Sequence, residues 1–121
     1  MKKKVFIVDD RSEFRKLTRM FLINKYDIET ADDGIQGMAL LQKGYLPDLI
    51  VSDLMMPNLD GAGFLKQLKS SDSFKNIPFI ILSSIDKSQE KVKLIRLGAD
   101  DYLEKPFNPA ELLVRIEKLI G

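Results

Sequence analysis

Residues 48–53 read Asp48-Leu49-Ile50-Val51-Ser52-Asp53, a short apolar run entered from one aspartate and left on another. Three large aliphatic residues in a row are too few for an ordinary helix. They read as a strand buried on both faces, as in a parallel sheet. The pattern recurs upstream at Val5 to Val8, which runs into Asp9-Asp10, and downstream at Phe79 to Leu82, which runs into Ser83-Ser84. Ile28 to Ala31 is more polar and suits an edge strand. Asp101 to Leu103 is a brief fifth candidate, ending near Lys105-Pro106.

Between these runs lie residues at helical spacing. Phe14, Leu17 and Phe21 mark a first helix, and Ile35, Met38 and Leu41 a second. Phe64 and Leu68 mark a third, Val92 and Ile95 a fourth, and Leu112, Leu113, Ile116 and Leu119 a fifth. The last has a clear start: Asn108 can cap, Pro109 fits the first helical position, and Glu111 stands where a capping-box acid belongs. Five βα units in succession predict an α/β domain with a parallel sheet and helices on both faces. In such sheets ligands sit beyond the carboxyl ends of the strands.

Composition narrows the chemistry. The length of 121 residues suits one domain, spanning 1–121. Apolar residues at 45% and charged residues at 31% argue against disorder. A formal net charge of +1 gives no general attraction to nucleic acid or anionic lipid. The chain has no cysteine and no histidine, so disulfides, thiolate or imidazole metal sites and histidine nucleophiles are excluded. The basic start, Lys2-Lys3-Lys4, precedes too short an apolar run for a signal peptide or a membrane span. A cytoplasmic protein without membrane partners is expected.

The strand ends then carry the function. A parallel sheet gathers Asp9, Asp10, Asp53, Ser83 and Lys105 at one rim. Each alone has a plain reading: Asp10 or Ser83 as a helix cap, Asp53 as a turn residue, Lys105 as a loop lysine. Four such residues closing four different βα units are hard to explain that way. Crowded carboxylates repel, and their pKa values rise unless a cation joins them. With oxygen ligands only, a hard divalent ion is the natural partner, Mg²⁺ before Ca²⁺. Metal, ammonium and hydroxyl together suit stabilisation of a transferring phosphoryl group. With no cysteine or histidine, a carboxylate is the expected nucleophile, giving an acyl phosphate.

These residues resemble the receiver domain of bacterial response regulators, over essentially the whole chain. The matching stretches are Val8-Asp9-Asp10 with Arg15, Asp48 to Asp53, Met56-Pro57 with Asp60-Gly61, Ser83, and Gly98 to Phe107. The resemblance implies a flavodoxin-like (βα)5 three-layer fold with strand order 2-1-3-4-5. It implies a two-component signalling switch rather than an enzyme, catalysing only its own phosphorylation and dephosphorylation. Asp53 would be the phosphoacceptor, with a sensor histidine kinase or acetyl phosphate as donor. Asp10, Asp53 and the backbone carbonyl of Met55 would hold Mg²⁺, with Asp9 acting through water. Lys105 would pair with phosphoryl oxygens. Ser83 would sense the phosphoryl group, and Tyr102 would be the aromatic that turns inward in response.

The resemblance also has departures. Serine stands at 83 where threonine is frequent, Ser84 could narrow access to Asp53, and Arg11 could lean over the site. Met55 and Ile85 are apolar, which predicts slow self-dephosphorylation. The face formed by the fourth helix, fifth strand and fifth helix should change on phosphorylation. Lys91 with Glu111 and Asp101 with Arg115 match pairing across a homodimer there, whereas Arg96 and Glu117 are reversed in sign. An output domain or effector partner is expected, and the sequence leaves open a free-standing receiver or part of a longer regulator. The competing readings are a pseudo-receiver that binds proteins without phosphorylation, and a flavin protein or aspartyl phosphatase on a similar sheet. A flavin site wants hydroxyls and amides after the first strand, where this chain has two aspartates.

Overall fold

The computed structural model describes residues 1–84 and 88–121, with the backbone alone for Ser88. The elements alternate as expected: β1 (Lys4–Val8), α1 (Ser12–Leu22), β2 (Asp27–Ala31), α2 (Gly34–Gln42), β3 (Leu49–Asp53), α3 (Gly61–Lys69), β4 (Phe79–Ser83), α4 (Ser88–Arg96), β5 (Asp101–Glu104) and α5 (Pro109–Ile120). The five strands form one parallel sheet in the order β2-β1-β3-β4-β5. The polar run at Ile28 to Ala31 is indeed an edge strand.

Strand periodicity splits the core in two, because successive side chains point to opposite faces. Phe6, Val8, Ile50, Phe79 and Ile81 face one layer, with Leu41 of α2, Phe64 and Leu68 of α3 and Leu94 of α4. Val5, Ile7, Leu49, Val51, Ile80 and Leu82 face the other, with Leu22 of α1 and Leu112 and Ile116 of α5. The sheet is therefore covered on both sides, which is why its central strands read as unbroken apolar runs.

Helix existence followed from spacing, but the buried face did not always. In α1 the residues turned inward are Thr18 and Leu22, while Leu17 and Phe21 are exposed. Among the residues of α4 whose side chains are described, Leu94 is buried, and Val92 and Ile95 face outward. In α2, Ile35 is exposed and Leu41 buried. Apolar spacing shows that a helix forms, but neighbouring elements decide which stripe is covered. At α5, Asn108 accepts from the Ala110 N–H at 2.9 Å, with Pro109 in the first turn. Glu111 pairs forward with Arg115 at 3.4 Å.

The loop after β3 is tied down from α2. Asn58 has φ 68°, a left-handed conformation that asparagine tolerates better than most residues. Its amide donates to Asp33 Oδ2 at 2.7 Å, and Asp33 Oδ1 accepts from the Gln36 N–H at 2.9 Å. The Gln36 N–H first, and the Asn58 amide second, hold the Asp33 carboxyl below the usual carboxylate range. A carboxylate with a lowered folded pKa contributes stability above its unfolded pKa of about 3.9 and loses it as pH falls through the folded value. The stability gap between wild type and Asp33→Asn should therefore be widest at neutral pH and shrink below about pH 4. Thermal melts across that range check this, and a gap independent of pH would contradict it.

Candidate functional site

Three strand ends build the pocket. β1 ends at Val8, so Asp9 and Asp10 lie just past the sheet; β3 ends on Asp53, and the segment after β5 brings Lys105. The register sets Ser52 beside Val8 and Leu82 beside Asp53, so neighbouring strands finish together at one rim. Carboxylate oxygens of Asp9, Asp10 and Asp53 all lie within 4.8 Å of one another. Asp9 is fully buried, Asp53 is 7% exposed, and Asp10 faces outward.

Lys105 is the ammonium of this group. Its Nζ lies 3.0 Å from Asp53 Oδ1 and 3.6 Å from Asp9 Oδ2, and 4.6 Å from the centre of the Phe14 ring. The Lys105 N–H donates to the Ser83 carbonyl at 2.7 Å, which anchors the lysine to the end of β4. The Lys105–Pro106 peptide is cis. Asp53 Oδ1 also accepts from the Leu54 N–H at 3.0 Å. Among the described hydrogen bonds, Asp53 Oδ2 takes none.

One buried oxygen of the group has an ion-pair partner, Lys105, but no hydrogen bond. Asp9 Oδ2 is buried and accepts no hydrogen bond, although Asp9 Oδ1 accepts from the Arg11 N–H at 2.9 Å. A buried carboxylate oxygen left in this way costs free energy unless a further donor or cation reaches it. Burial, opposed by the Lys105 hydrogen bond and reinforced by Asp9, pushes the Asp53 carboxyl above the ordinary range. The donor set is all oxygen and the residues fit a hard divalent cation. It follows that Asp53→Asn, which removes one of three mutually repelling carboxylates, should stabilise the metal-free chain. A rise in melting temperature of about 3–6 °C is expected, equivalent to about 1 kcal/mol. A fall would mean that the Asp53–Lys105 pair outweighs the repulsion.

The other expected residues fall around this centre. Ser83 is fully buried at the end of β4, and Ser84 is exposed and lines a cavity in front of the acidic group. Met55 is 61% exposed at the cavity wall. Tyr102 is 4% exposed and packed in the core layer with Leu94 and Ala99, with Lys91 Nζ 5.9 Å from its ring centre. The inward position is thus the one described. Ile85 lies outside the described residues. Arg11 does lean over the site, with Nε 3.5 Å from Asp9 Oδ1.

Two contacts of the site were not foreseen. Arg15 donates to the Asp9 carbonyl at 2.6 Å and pairs with Asp32 at 3.1 Å, fixing the backbone that carries the acidic pair. Gly61 donates its N–H to the Leu54 carbonyl at 2.8 Å and lies so close that a Cβ would overlap the Asp53 carbonyl oxygen. The Asp60-Gly61 pair was the only sequence signal for this approach. The cavity in front of the acidic group measures about 640 Å³ and extends along α1 past Phe14 toward Phe107.

A model described as the response regulator receiver domain matches residues 5–117. The chain belongs to this family. This receiver is 39% identical over 121 residues to a probable transcriptional regulator, ycf27, of Cyanophora paradoxa, covering 98% of this chain and 48% of that protein. It spans about half the length of the first curated relatives it matches. Among solved structures, the receiver domain of Francisella response regulator 1452 has a TM-score of 0.90 at 37% identity, over 98% of this chain and 96% of that one. Chemotaxis protein CheY4 of Vibrio cholerae has a TM-score of 0.91 at 32% identity, over 99% and 100%. The receiver is accordingly of the two-component type, with the flavodoxin-like sheet order. No described helix is long and apolar enough to cross a membrane.

Proposed function

We propose that residues 1–121 form one receiver unit that accepts a phosphoryl group on Asp53, from the phosphohistidine of a sensor histidine kinase or from acetyl phosphate. The observation that carries this is the buried, unbonded Asp9 Oδ2 among three carboxylates and beside one ammonium. That arrangement favours a divalent cation and, with it, a phosphoryl group. Asp10, Asp53 and the Met55 backbone carbonyl would hold Mg²⁺, with Asp9 reaching it through water. When bound, Mg²⁺ would neutralise charge developing on the phosphoryl oxygens.

The chain's own residues do the rest. Lys105 and the Leu54 N–H hold Asp53 Oδ1, which leaves Oδ2 to attack phosphorus in line. The new bond is O–P; the bond broken is N–P in phosphohistidine, whose imidazole nitrogen takes a proton from solvent, or O–P in acetyl phosphate, whose acetate leaves as the anion. Lys105 then pairs with the phosphoryl oxygens, and the Ser83 hydroxyl donates to them. Tyr102, already inward, is retained there when Ser83 moves. This makes the protein a switch rather than an enzyme acting on a separate substrate. Apolar Met55 cannot orient an attacking water, so the phosphorylated form should be long-lived.

The output follows from α4, β5 and α5. Val92, Ile95 and Val114 are exposed on the two helices. Arg115 pairs with Asp101 at 2.8 Å within one chain, and Glu117 pairs with Lys25 beyond α1. A homodimer through this face would have to exchange the first pair between copies. A half-length match to a relative named as a transcriptional regulator fits an output domain beyond this chain, or an effector partner, with no direct nucleic-acid contact by the receiver itself. A cytoplasmic location, without membrane partners, goes with this role.

The test is intact-mass measurement after incubation with acetyl phosphate and Mg²⁺. One phosphate added to wild type and none to Asp53→Asn is expected. A wild type that stays unmodified would instead favour the pseudo-receiver.

A further inference from the structure

Arg11 touches the acidic pocket in a way that the proposed phosphoryl transfer does not use. Its backbone N–H and its Nε both point at Asp9 Oδ1, at 2.9 and 3.5 Å. Its guanidinium carbon lies 5.0 Å from the centre of the Phe14 ring, whose position is set by edge contact with Phe107 at 5.9 Å. Lys105 Nζ approaches the same ring at 4.6 Å. Phe14 is thus a shelf that holds two cations against one group of carboxylates, by attraction between positive charge and the ring face.

Counting charges gives this contact a consequence. Asp9, Asp10 and Asp53 set against Lys105 leave two negative charges; Arg11 cancels one of them. The attraction of the pocket for a divalent cation falls accordingly. Meanwhile the Asp9 Oδ1 atom is held by Arg11, and Oδ2 is the buried oxygen without a hydrogen bond. We infer that Arg11 is a resident competitor of the divalent cation, a positioning residue that sets how much Mg²⁺ the receiver needs. The inference rests on the metal reading made above.

The geometry makes the charge separable from the fold. The Arg11 side chain is 53% exposed, and the Arg11 backbone N–H would still hold Asp9 Oδ1 after substitution. Removing the guanidinium therefore removes charge without freeing Asp9. Because the group is half in solvent, its effect is moderate and screened by salt.

Mg²⁺ binding to the unphosphorylated full chain, measured by titration calorimetry, tests this with no activity readout. Arg11→Gln is expected to tighten Mg²⁺ binding about 3- to 10-fold at low ionic strength, the gain shrinking as KCl is added. Arg11→Lys, which keeps the charge, should stay within about 2-fold of wild type. Unchanged or weaker binding in Arg11→Gln, or a Lys variant that behaves like Gln, would overturn the inference. Asp10→Asn serves as the separate control. If it leaves Mg²⁺ binding intact, the metal reading itself fails; if it weakens binding while Arg11→Gln changes nothing, only the role of Arg11 fails.

Discussion

Lys105→Met should slow phosphorylation by acetyl phosphate about 100-fold, the scale of losing one preorganised electrostatic donor at a reacting oxyanion. Methionine keeps most of the apolar stem of the side chain but not the ammonium, which lies 3.0 Å from Asp53, 3.6 Å from Asp9 and over the Phe14 ring. Both lysine and aspartate ends are largely buried, with side chains 14% and 9% exposed. Breaking such a pair leaves a carboxylate without compensation, so the metal-free variant should also lose about 3 kcal/mol of stability. Mg²⁺ should then raise its melting temperature by more than it raises that of wild type, since the pocket has one positive charge fewer. Single-turnover phosphorylation and melts with and without Mg²⁺ check both parts. A variant phosphorylated at the wild-type rate would remove Lys105 from the reaction.

Gly61→Ala is the second large effect, and it acts through shape. A methyl group at 61 would overlap the Asp53 carbonyl oxygen and stand 2.9 Å from Leu54 Cα. Neither neighbour is a flexible side chain, so the end of β3 or the start of α3 has to move. Over-packing of this kind is expected to cost about 3 kcal/mol. The displaced atoms carry the phosphoacceptor, so phosphorylation should slow by about 10- to 100-fold, the cost of misplacing a reacting group by an ångström or less. Gly44→Ala is the contrast. At φ +109° with nothing nearby, it should cost about 1 kcal/mol of stability and leave the phosphorylation rate alone. A Gly61→Ala chain that is destabilised yet phosphorylated normally would show that the loop tolerates the shift.

The framework of this receiver was readable from local patterns. Three apolar runs with acidic or hydroxyl residues at their ends fix both the buried strands and the rim at which chemistry gathers, because a parallel sheet aligns strand ends. Asn108 and Pro109 announced α5 by chemistry that works within one turn. The helix faces were less legible. Leu17 and Phe21 share helical spacing yet are exposed, and Val92 and Ile95 likewise, while Leu94 between them is fully buried. Spacing gives the period of a helix, but the sheet and the adjoining helices give its phase.

By itself, the sequence determined that the chemistry would rest on carboxylate, hydroxyl and ammonium groups at Asp9, Asp10, Asp53, Ser83 and Lys105, because it offers no cysteine or histidine and places these residues at or just past strand ends. Only the tertiary structure decided which charges meet. It left Asp9 Oδ2 buried and unbonded, set Arg11 and Lys105 on one phenylalanine ring, tied Asn58 to Asp33 and pressed Gly61 against the backbone of Asp53. The reason is physical: electrostatic and steric interactions act over a few ångströms in space, and among these contacts only closure of the sheet and its helices brings residues 9, 53 and 105 within that range.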